Sequence, residues 1–252
     1  MNRTWISWAN RLGGLAIAAL LLATPASAQV VQSVQFGVGG FFPKGLDSRD
    51  AQDVIARNYF GEFLPAEPSL TDALAFDIKD FRSGHVFGEW NVSFGPHIEI
   101  GAGIGLYGRT VPTVYLDVVD ENNLDIEQQL HLRVVPITGL VRFLPFGHHG
   151  TVQPYVGVGV SAMNFRYSEI GDFVDPVTLD IFPDRFTTSG TALGGLVVYG
   201  LRVPLGGDIY GLTLEGRTQF GKGDTGGANK GFLTDKVDLG GSMFNVGFLV
   251  RF

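Results

Sequence analysis

The sequence predicts an all-β protein, an eight-stranded antiparallel up-and-down transmembrane β-barrel with short periplasmic turns and long extracellular loops. Three observations lead to this prediction. The 252-residue chain opens with a targeting segment, eight later segments alternate between apolar and polar residues, and the connections between those segments are alternately long and short. In such a barrel the apolar faces of the strands contact lipid and their polar faces line a lumen.

The composition narrows the class of protein. Charged residues make up 17% of the chain and hydrophobic residues 45%, with 36 glycines and no cysteine. So much apolar surface excludes a disordered chain, and the lack of cysteine excludes a disulfide scaffold or a thiolate metal site. The formal net charge is −7 and no basic run occurs, which argues against a nucleic-acid partner. We expect no cofactor and no bound metal.

The N-terminal segment has the three parts of a secretory signal peptide. Arg3 and Arg11 make a positive start, residues 12–23 are an apolar run, and a small-residue A-x-A cleavage site follows. A helix of about 12 residues is only about 18 Å long, shorter than the roughly 30 Å hydrocarbon core of a bilayer. The sequence therefore predicts a cleaved segment over residues 1–28 and a single barrel domain over residues 29–252.

Eight segments after the cleavage site alternate between apolar residues and polar residues or glycine. This period of two is typical of a strand whose two faces meet different surroundings. Residues 98–106, for example, place isoleucine at positions 98, 100 and 104, opposite Glu99 and three glycines. The predicted strands are 34–42, 86–94, 98–106, 132–143, 154–164, 191–203, 209–220 and 242–252.

The connections sort the predicted strand ends into two sets. The long connections are residues 43–85, 107–131, 168–188 and 221–236, and the short ones are 95–97, 144–153 and 204–208. All but five of the 25 acidic residues lie in the long connections, and the three glutamates inside strands, Glu89, Glu99 and Glu215, fall on the polar faces. An Arg or Lys that faces lipid at the bilayer centre costs about 2–4 kcal/mol, whereas a charge in the lumen is tolerated. This sorting favours a membrane barrel over a soluble β protein.

The charged residues on the polar faces form a predicted polar network in the lumen. Its members are Glu89, Glu99, Arg142, Arg202, Glu215, Arg217 and Arg251. An eight-stranded barrel is just wide enough for side chains to fill, and buried charges need partners. We favour a Glu99–Arg142 pair, because these residues lie at similar height on neighbouring strands. The network either plugs the lumen or acts as a gate or ligand anchor, and the lumen glycines either make room for larger neighbours or leave a narrow cavity.

The last eight residues follow a pattern of polar, glycine, hydrophobic and aromatic positions, with the aromatic residue last. Asn245, Gly247, Val250 and Phe252 occupy the polar, glycine, hydrophobic and terminal aromatic positions, and this pattern resembles the terminal assembly signal of bacterial outer-membrane barrels. The resemblance implies that the barrel assembly machinery recognises the last strand during insertion, through pairing with an exposed strand edge. It also implies a bacterial outer-membrane location, with lipid and lipopolysaccharide as neighbours.

A second resemblance comes from the block around residues 134–155, which reads V-P-I-T-G-L-V-R-F-L-P and, after a short turn, Q-P-Y-V-G-V-G-V. It is similar to small eight-stranded outer-membrane families, the OmpW-like and OmpA-type barrels. For OmpW-like members the resemblance implies passage or binding of small hydrophobic molecules. The long first connection departs from that family's pattern.

Two functions are therefore open. One is a structural or surface-interaction role with a largely plugged lumen, and the other is a narrow channel or binder for small hydrophobic solutes. We expect no enzyme, because no histidine lies beside a serine on a strand face, as a Ser–His–acid site in a barrel wall requires. The oligomeric state is left open.

The outer rim and the first long connection carry further candidate features. Arg109, Arg133 and Arg166 fall near the rim and are candidates to contact lipopolysaccharide phosphates. The loop acids Asp117, Asp120 and Glu121 are either solvated or bridged to those phosphates by divalent cations. Two short helices, over 50–57 with Ser48 as its N-cap and from Ser69 or Thr71 to Phe76, are expected to cap the barrel mouth.

Overall fold

Eight antiparallel strands form one closed ring in the computed structural model, and this confirms the predicted fold class. The structure describes residues 30–60, 74–148, 150–175, 178–205, 207 and 209–252. Its strands are β1 (Val31–Pro43), β2 (Ser83–Phe94), β3 (Ile98–Val119), β4 (Asp125–Phe143), β5 (Gln153–Val174), β6 (Ile181–Leu205), β7 (Tyr210–Asp224), β8 (Lys236–Asp238) and β9 (Gly241–Arg251). Strand β9 closes the ring by pairing with both β7 and β1, whereas the three-residue β8 pairs only with β7.

The two faces of the wall carry different side chains, as the alternation predicts. On β3, Ile98 and Ile100 point outward and are 40% and 47% exposed, whereas Glu99 between them points into the lumen and is 1% exposed. Each strand of the ring pairs with two neighbours, so the ring leaves no open sheet edge, which is what a sheet in lipid requires. Within the described residues, no helix is long and apolar enough to cross a bilayer. The predicted signal peptide and the predicted helix that begins at Ser69 or Thr71 lie outside the described residues, apart from that helix's last residues.

Two segments that the sequence analysis treats as long connections are mostly strand. Strands β3 and β4 continue until only residues 120–124 join them, and β5 and β6 continue until only residues 175–180 join them. The cause is a change in the outward face, which turns polar on β5 at Asn164 and Arg166. Beyond that height the wall leaves the apolar belt, so the apolar-out pattern used to recognise strands no longer applies.

The residues between β1 and β2 fold into the mouth of the barrel. They form a short 3-10 turn (Leu46–Ser48), the helix α1 (Val54–Phe60) and a second 3-10 turn (Ile78–Phe81). The predicted helix over 50–57 therefore begins later, because Asp53 accepts hydrogen bonds from the backbone N–H groups of Ile55 and Ala56 and so serves the role expected of Ser48.

The upper interior of the barrel is an apolar core. It joins inward side chains of the strands to side chains from the connections, among them Ile55, Phe81, Leu130, Met163, Tyr167, Phe232 and Leu239. We call this set the upper core. It fills the half of the interior farthest from the short turns.

A buried polar cluster holds the first connection to the segment before β9. Arg49 Nη1 donates to Asp53 Oδ2 (2.8 Å), and the same oxygen accepts from the backbone N–H of Asp238 (2.7 Å). Lys44 Nζ lies 3.1 Å from Asp238 Oδ2. Asp53 is 1% exposed, and this burial raises the pKa of its carboxyl above the usual value.

We expect Asp53→Ala to loosen the first connection without opening the barrel wall. The substitution leaves Arg49 buried without its carboxylate partner and removes the bonds at the start of α1, a loss of roughly 3–5 kcal/mol. Amide hydrogen exchange over residues 46–60 should accelerate by at least about 100-fold. Asp50→Ala is the matched control, because Asp50 pairs with Lys222 at the surface and such pairs contribute less than about 1 kcal/mol. Equal exchange rates in the two variants would contradict this account.

Candidate functional site

The half of the lumen nearest the short turns holds a cluster of charged side chains. They reach it because each occupies an inward position of its strand: Glu89 on β2, Glu99 on β3, Arg142 on β4, Arg202 on β6, and Glu215 and Arg217 on β7. All six are buried. These residues are six of the seven that the sequence analysis assigns to a lumen network, and we call them the ionic cluster.

Arg142 is the centre of the ionic cluster. Its guanidinium is fully buried and contacts three carboxylates. Nη1 contacts Glu89 and lies 3.1 Å from Glu99 Oε1, and Nη2 lies 3.0 Å from Glu215 Oε2. Glu99 also faces Arg142 directly in the β3–β4 register. A single cation thereby joins three strands across the lumen.

Arg202 and Arg217 complete the charge balance. The two Nη atoms of Arg202 donate to the two carboxylate oxygens of Glu99, at 2.8 and 2.7 Å. Arg217 lies 2.9 Å from Glu89 Oε2 and also contacts Glu215. Three arginines thus meet three glutamates, and each glutamate contacts two arginines. Forked, charge-assisted bonds of this kind are among the strongest that side chains make.

Three uncharged side chains support the ionic cluster, and the sequence analysis missed them. Asn91 Oδ1 accepts from Arg142 Nη1 (2.7 Å), and the Tyr155 hydroxyl donates to Glu215 Oε2 (2.8 Å). The Tyr155 ring also lies about 5 Å from the Arg142 and Arg202 guanidinium groups, and the Phe87 ring lies 4.2 Å from that of Arg217. Aromatic faces attract cations at such distances. The available signal was position, since Asn91 and Tyr155 lie on the polar, inward faces of β2 and β5.

Glycines make room for the ionic cluster. A Cβ atom at Gly157 would lie 3.0 Å from Arg142 Cγ and 2.8 Å from Val198 Cγ2, and one at Gly101 would overlap Asn91. Larger residues at these two positions would displace the side chains that hold Arg142. At both positions the geometry fits the interpretation that the lumen glycines make room for larger neighbours, rather than leaving a narrow cavity.

The remaining predicted residues lie apart from the ionic cluster. Arg251 Nη2 donates to Gln153 Oε1 (3.2 Å) near the short-turn end. In the terminal pattern, Asn245 is buried in the lumen, and a Cβ at Gly247 would lie 2.7 Å from the Phe36 carbonyl oxygen. The last residue of the pattern, Phe252, is 70% exposed, and its backbone pairs with that of Gln32.

Metal binding and Ser–His–acid catalysis each depend on how the histidines and acids of the described part of the chain are arranged. No group of three His, Asp or Glu side chains there is arranged to hold a metal ion. His85 lies 3.4 Å from Asn245, His131 lies 2.7 Å from Thr110, and His97 lies 2.8 Å from the Leu144 carbonyl oxygen. These three histidines are therefore not paired with serine.

Comparison with known proteins shows the fold. No family model and no curated protein matches the chain. Among solved structures, the outer membrane protein OprG from Pseudomonas aeruginosa is similar, with a TM-score of 0.52 and 12% identity over 90% of this chain and 98% of OprG. The N-terminal barrel domain of OprF from the same organism is 11% identical, with a TM-score of 0.43 over 90% of this chain and 100% of that domain. The likeness to OprG confirms the predicted fold, that of a small bacterial outer-membrane β-barrel.

The ionic cluster should contribute strongly to stability through Arg142. We expect Arg142→Ala to lower the free energy of unfolding by roughly 3–5 kcal/mol, because three carboxylates remain buried without their shared cation. Urea unfolding of the refolded barrel in lipid vesicles, followed by tryptophan fluorescence, measures this change. The control is Arg133→Ala, which removes an exposed arginine from the same strand and should cost less than about 1 kcal/mol. The assignment is wrong if both variants are equally stable.

Proposed function

We propose that the protein is an integral outer-membrane barrel with a non-enzymatic structural or surface-interaction role, and that its lumen is closed by the ionic cluster. The observation that carries this proposal is the contact of Arg142 with carboxylates from three strands. Arg217 on β7 adds a bond to Glu89 on β2, two strands that are not neighbours in the ring. These bonds therefore cross the lumen rather than run along its wall.

A second barrier lies above the first. The upper core fills the other half of the interior, and Ile55, Leu130 and Tyr167 within it are fully buried. A hydrated ion would have to displace dry, packed side chains there and separate buried ion pairs below. Two layers of different chemistry therefore support a closed lumen.

The alternative function is a narrow channel or binder for small hydrophobic solutes, as in OmpW-like proteins. One observation favours it, an apolar concavity of about 870 Å³ in the lateral wall, lined by side chains that include Phe36, Leu106, Leu212 and Phe248. Outward residues provide most of this lining. The strand β1 pairs on both sides there, Phe36 for example with Gly88 and Phe248, but the β3–β4 pairing is interrupted at Gly105 and Leu106. The cavity on the inner side of this interruption, bounded by Phe87, Gly105 and Pro136, has a volume of about 10 Å³. That is no larger than a single water molecule needs, so the concavity is better suited to lipid chains than to a path into the lumen.

Conductance tests whether the lumen is closed. We expect the folded wild-type barrel to give no stepwise current in a planar lipid bilayer, because both layers of the interior exclude hydrated ions. Folding is checked beforehand by the heat-dependent gel mobility of the barrel, and a general porin in the same bilayer is the positive control. Reproducible current steps that scale with the amount of folded protein would overturn the closed-lumen proposal.

The surface-interaction role rests on two arginines at the outer rim. Arg133 on β4 and Arg166 on β5 face each other directly across the two strands, and both are exposed. Like charges in this position repel one another unless an anion lies between them. The geometry suits a lipopolysaccharide phosphate, which arginine binds with its forked donors. Arg109, expected to share this role, donates from Nε to the Asp80 carbonyl oxygen (2.7 Å), so we leave it out of the phosphate site.

We expect the double substitution Arg133→Ala and Arg166→Ala to weaken lipopolysaccharide binding by about tenfold, since two charge-assisted contacts are lost. Binding of purified lipopolysaccharide to the detergent-solubilised barrel is measured by native mass spectrometry. Lys79→Ala is the control, because Lys79 is an exposed cation that pairs with Asp77 outside the barrel wall. Dephosphorylated lipopolysaccharide should bind the wild type and the double variant alike. Unchanged binding of the phosphorylated form by the double variant would rule out this site.

A further inference from the structure

A small cavity lies in the extracellular mouth of the barrel, beyond the upper core. Its volume is about 170 Å³, and it is bounded by α1, by the upper parts of the β3–β4 and β5–β6 hairpins, and by the connection after β7. Most of its lining is apolar, and Asn58, Gln128 and Glu169 are its polar members apart from the Tyr115 hydroxyl. Neither the ionic cluster nor the proposed phosphate site includes any of these residues.

Glu169 is a buried acid without a cation beside it. Its side chain accepts a hydrogen bond from Asn58 Nδ2 (2.7 Å), and the Tyr167 hydroxyl is its other hydrogen-bonding neighbour. Among the described residues, no lysine, arginine or histidine lies within ion-pair distance of this carboxylate. A buried carboxylate normally needs such a partner. Within the described residues, this carboxyl is therefore held by hydrogen bonds and not by an ion pair.

Glu169 is buried although it lies outside the apolar belt. Residue 169 is five positions beyond Asn164, where the outward face of β5 becomes polar. Burial raises the pKa of Glu169 to about 7, so its carboxyl can be either neutral or charged at physiological pH. A positive charge in the cavity would favour the charged form.

Aromatic rings form the wall of the cavity. Phe173 packs edge-on against Phe186, with ring centroids 4.7 Å apart, and its ring is also 6.1 Å from that of Phe182. The faces of such rings attract organic cations and pack against apolar groups. A cavity of about 150 Å³ can hold a benzene ring, so this one admits a single ring with a short side chain.

We propose that this cavity binds a small organic amine, with the ammonium group on Glu169 and the apolar body against Phe173 and Phe186. The ligand supplies a cation for Glu169, and Asn58 holds the carboxylate in place. This site lies outside the ionic cluster, so its ligand binding does not depend on whether the lumen is closed.

The test uses phenethylamine and its uncharged analogue 2-phenylethanol as probes. Each is titrated calorimetrically into the refolded, full barrel in detergent. We expect wild type to bind phenethylamine at least about tenfold more tightly than 2-phenylethanol, which has the same ring and chain but no positive charge. Glu169→Gln should remove this preference while keeping the shape of the side chain. Asp172→Asn, an exposed acid on the same strand, should leave the preference unchanged.

A second variant covers the case in which Glu169→Gln does not fold. Leu233 lines the cavity and is 50% exposed, so Leu233→Trp should be tolerated and should block access. We expect it to reduce phenethylamine binding at least tenfold. The proposal is overturned if wild type shows no saturable phenethylamine binding, or if binding persists unchanged in both variants. Because no conductance is involved, these outcomes leave the closed-lumen proposal untouched.

Discussion

The closed ring of eight strands imposes one constraint on the rest of the structure: a charge on its inner face can reach neither water nor lipid and must find its partner across a narrow lumen. Arg142 meets this constraint by contacting Glu89, Glu99 and Glu215 at once. Equal numbers of arginines and glutamates follow from it, because any surplus charge would stay buried without a partner. The glycine at position 157 follows from the same constraint, because a Cβ there would lie 3.0 Å from Arg142 Cγ.

The two halves of the interior satisfy the same requirement with different chemistry. Near the short turns, side chains of the strands fill the lumen and form ion pairs with one another. Near the mouth the strands run on beyond the apolar belt and enclose more space than their own side chains fill, so the connections fold inward to form the upper core. One buried ion pair in this half, the Arg49–Asp53 contact, holds the first connection. The same chain thus closes its interior twice, by segments that lie far apart in the sequence.

Sequence alone was sufficient for the parts of the fold that a period of two encodes. The alternation around Glu99 assigns its strand and its inward face, and the heights of Glu99 and Arg142 bring those residues together. The strand ends were misjudged where the outward face turns polar near Arg166, because the contrast between faces is lost above the apolar belt. The upper core could not be predicted, since residues such as Ile55 and Phe232 come from connections without periodicity and meet only in the folded chain. The position of Tyr155 could have been predicted, because it lies on the inward face of β5.

The geometry of the ionic cluster also bears on whether it could act as a gate. A gate must open with a modest change in free energy, yet moving Arg142 aside separates it from three carboxylates together, and breaking even one buried pair costs roughly 3–5 kcal/mol. A cost of about 4 kcal/mol already limits the open form to about one molecule in a thousand, and the lost contacts here are several and coupled. Opening the lumen would also require the upper core to move. No ion pair of the cluster reaches the upper core, so a change in the cluster would not move it directly. A plug therefore accounts for the shared arginine more simply than a gate does. With the lumen closed, a ligand from the exterior can bind only above both layers, at the mouth, where no cation among the described residues pairs with Glu169.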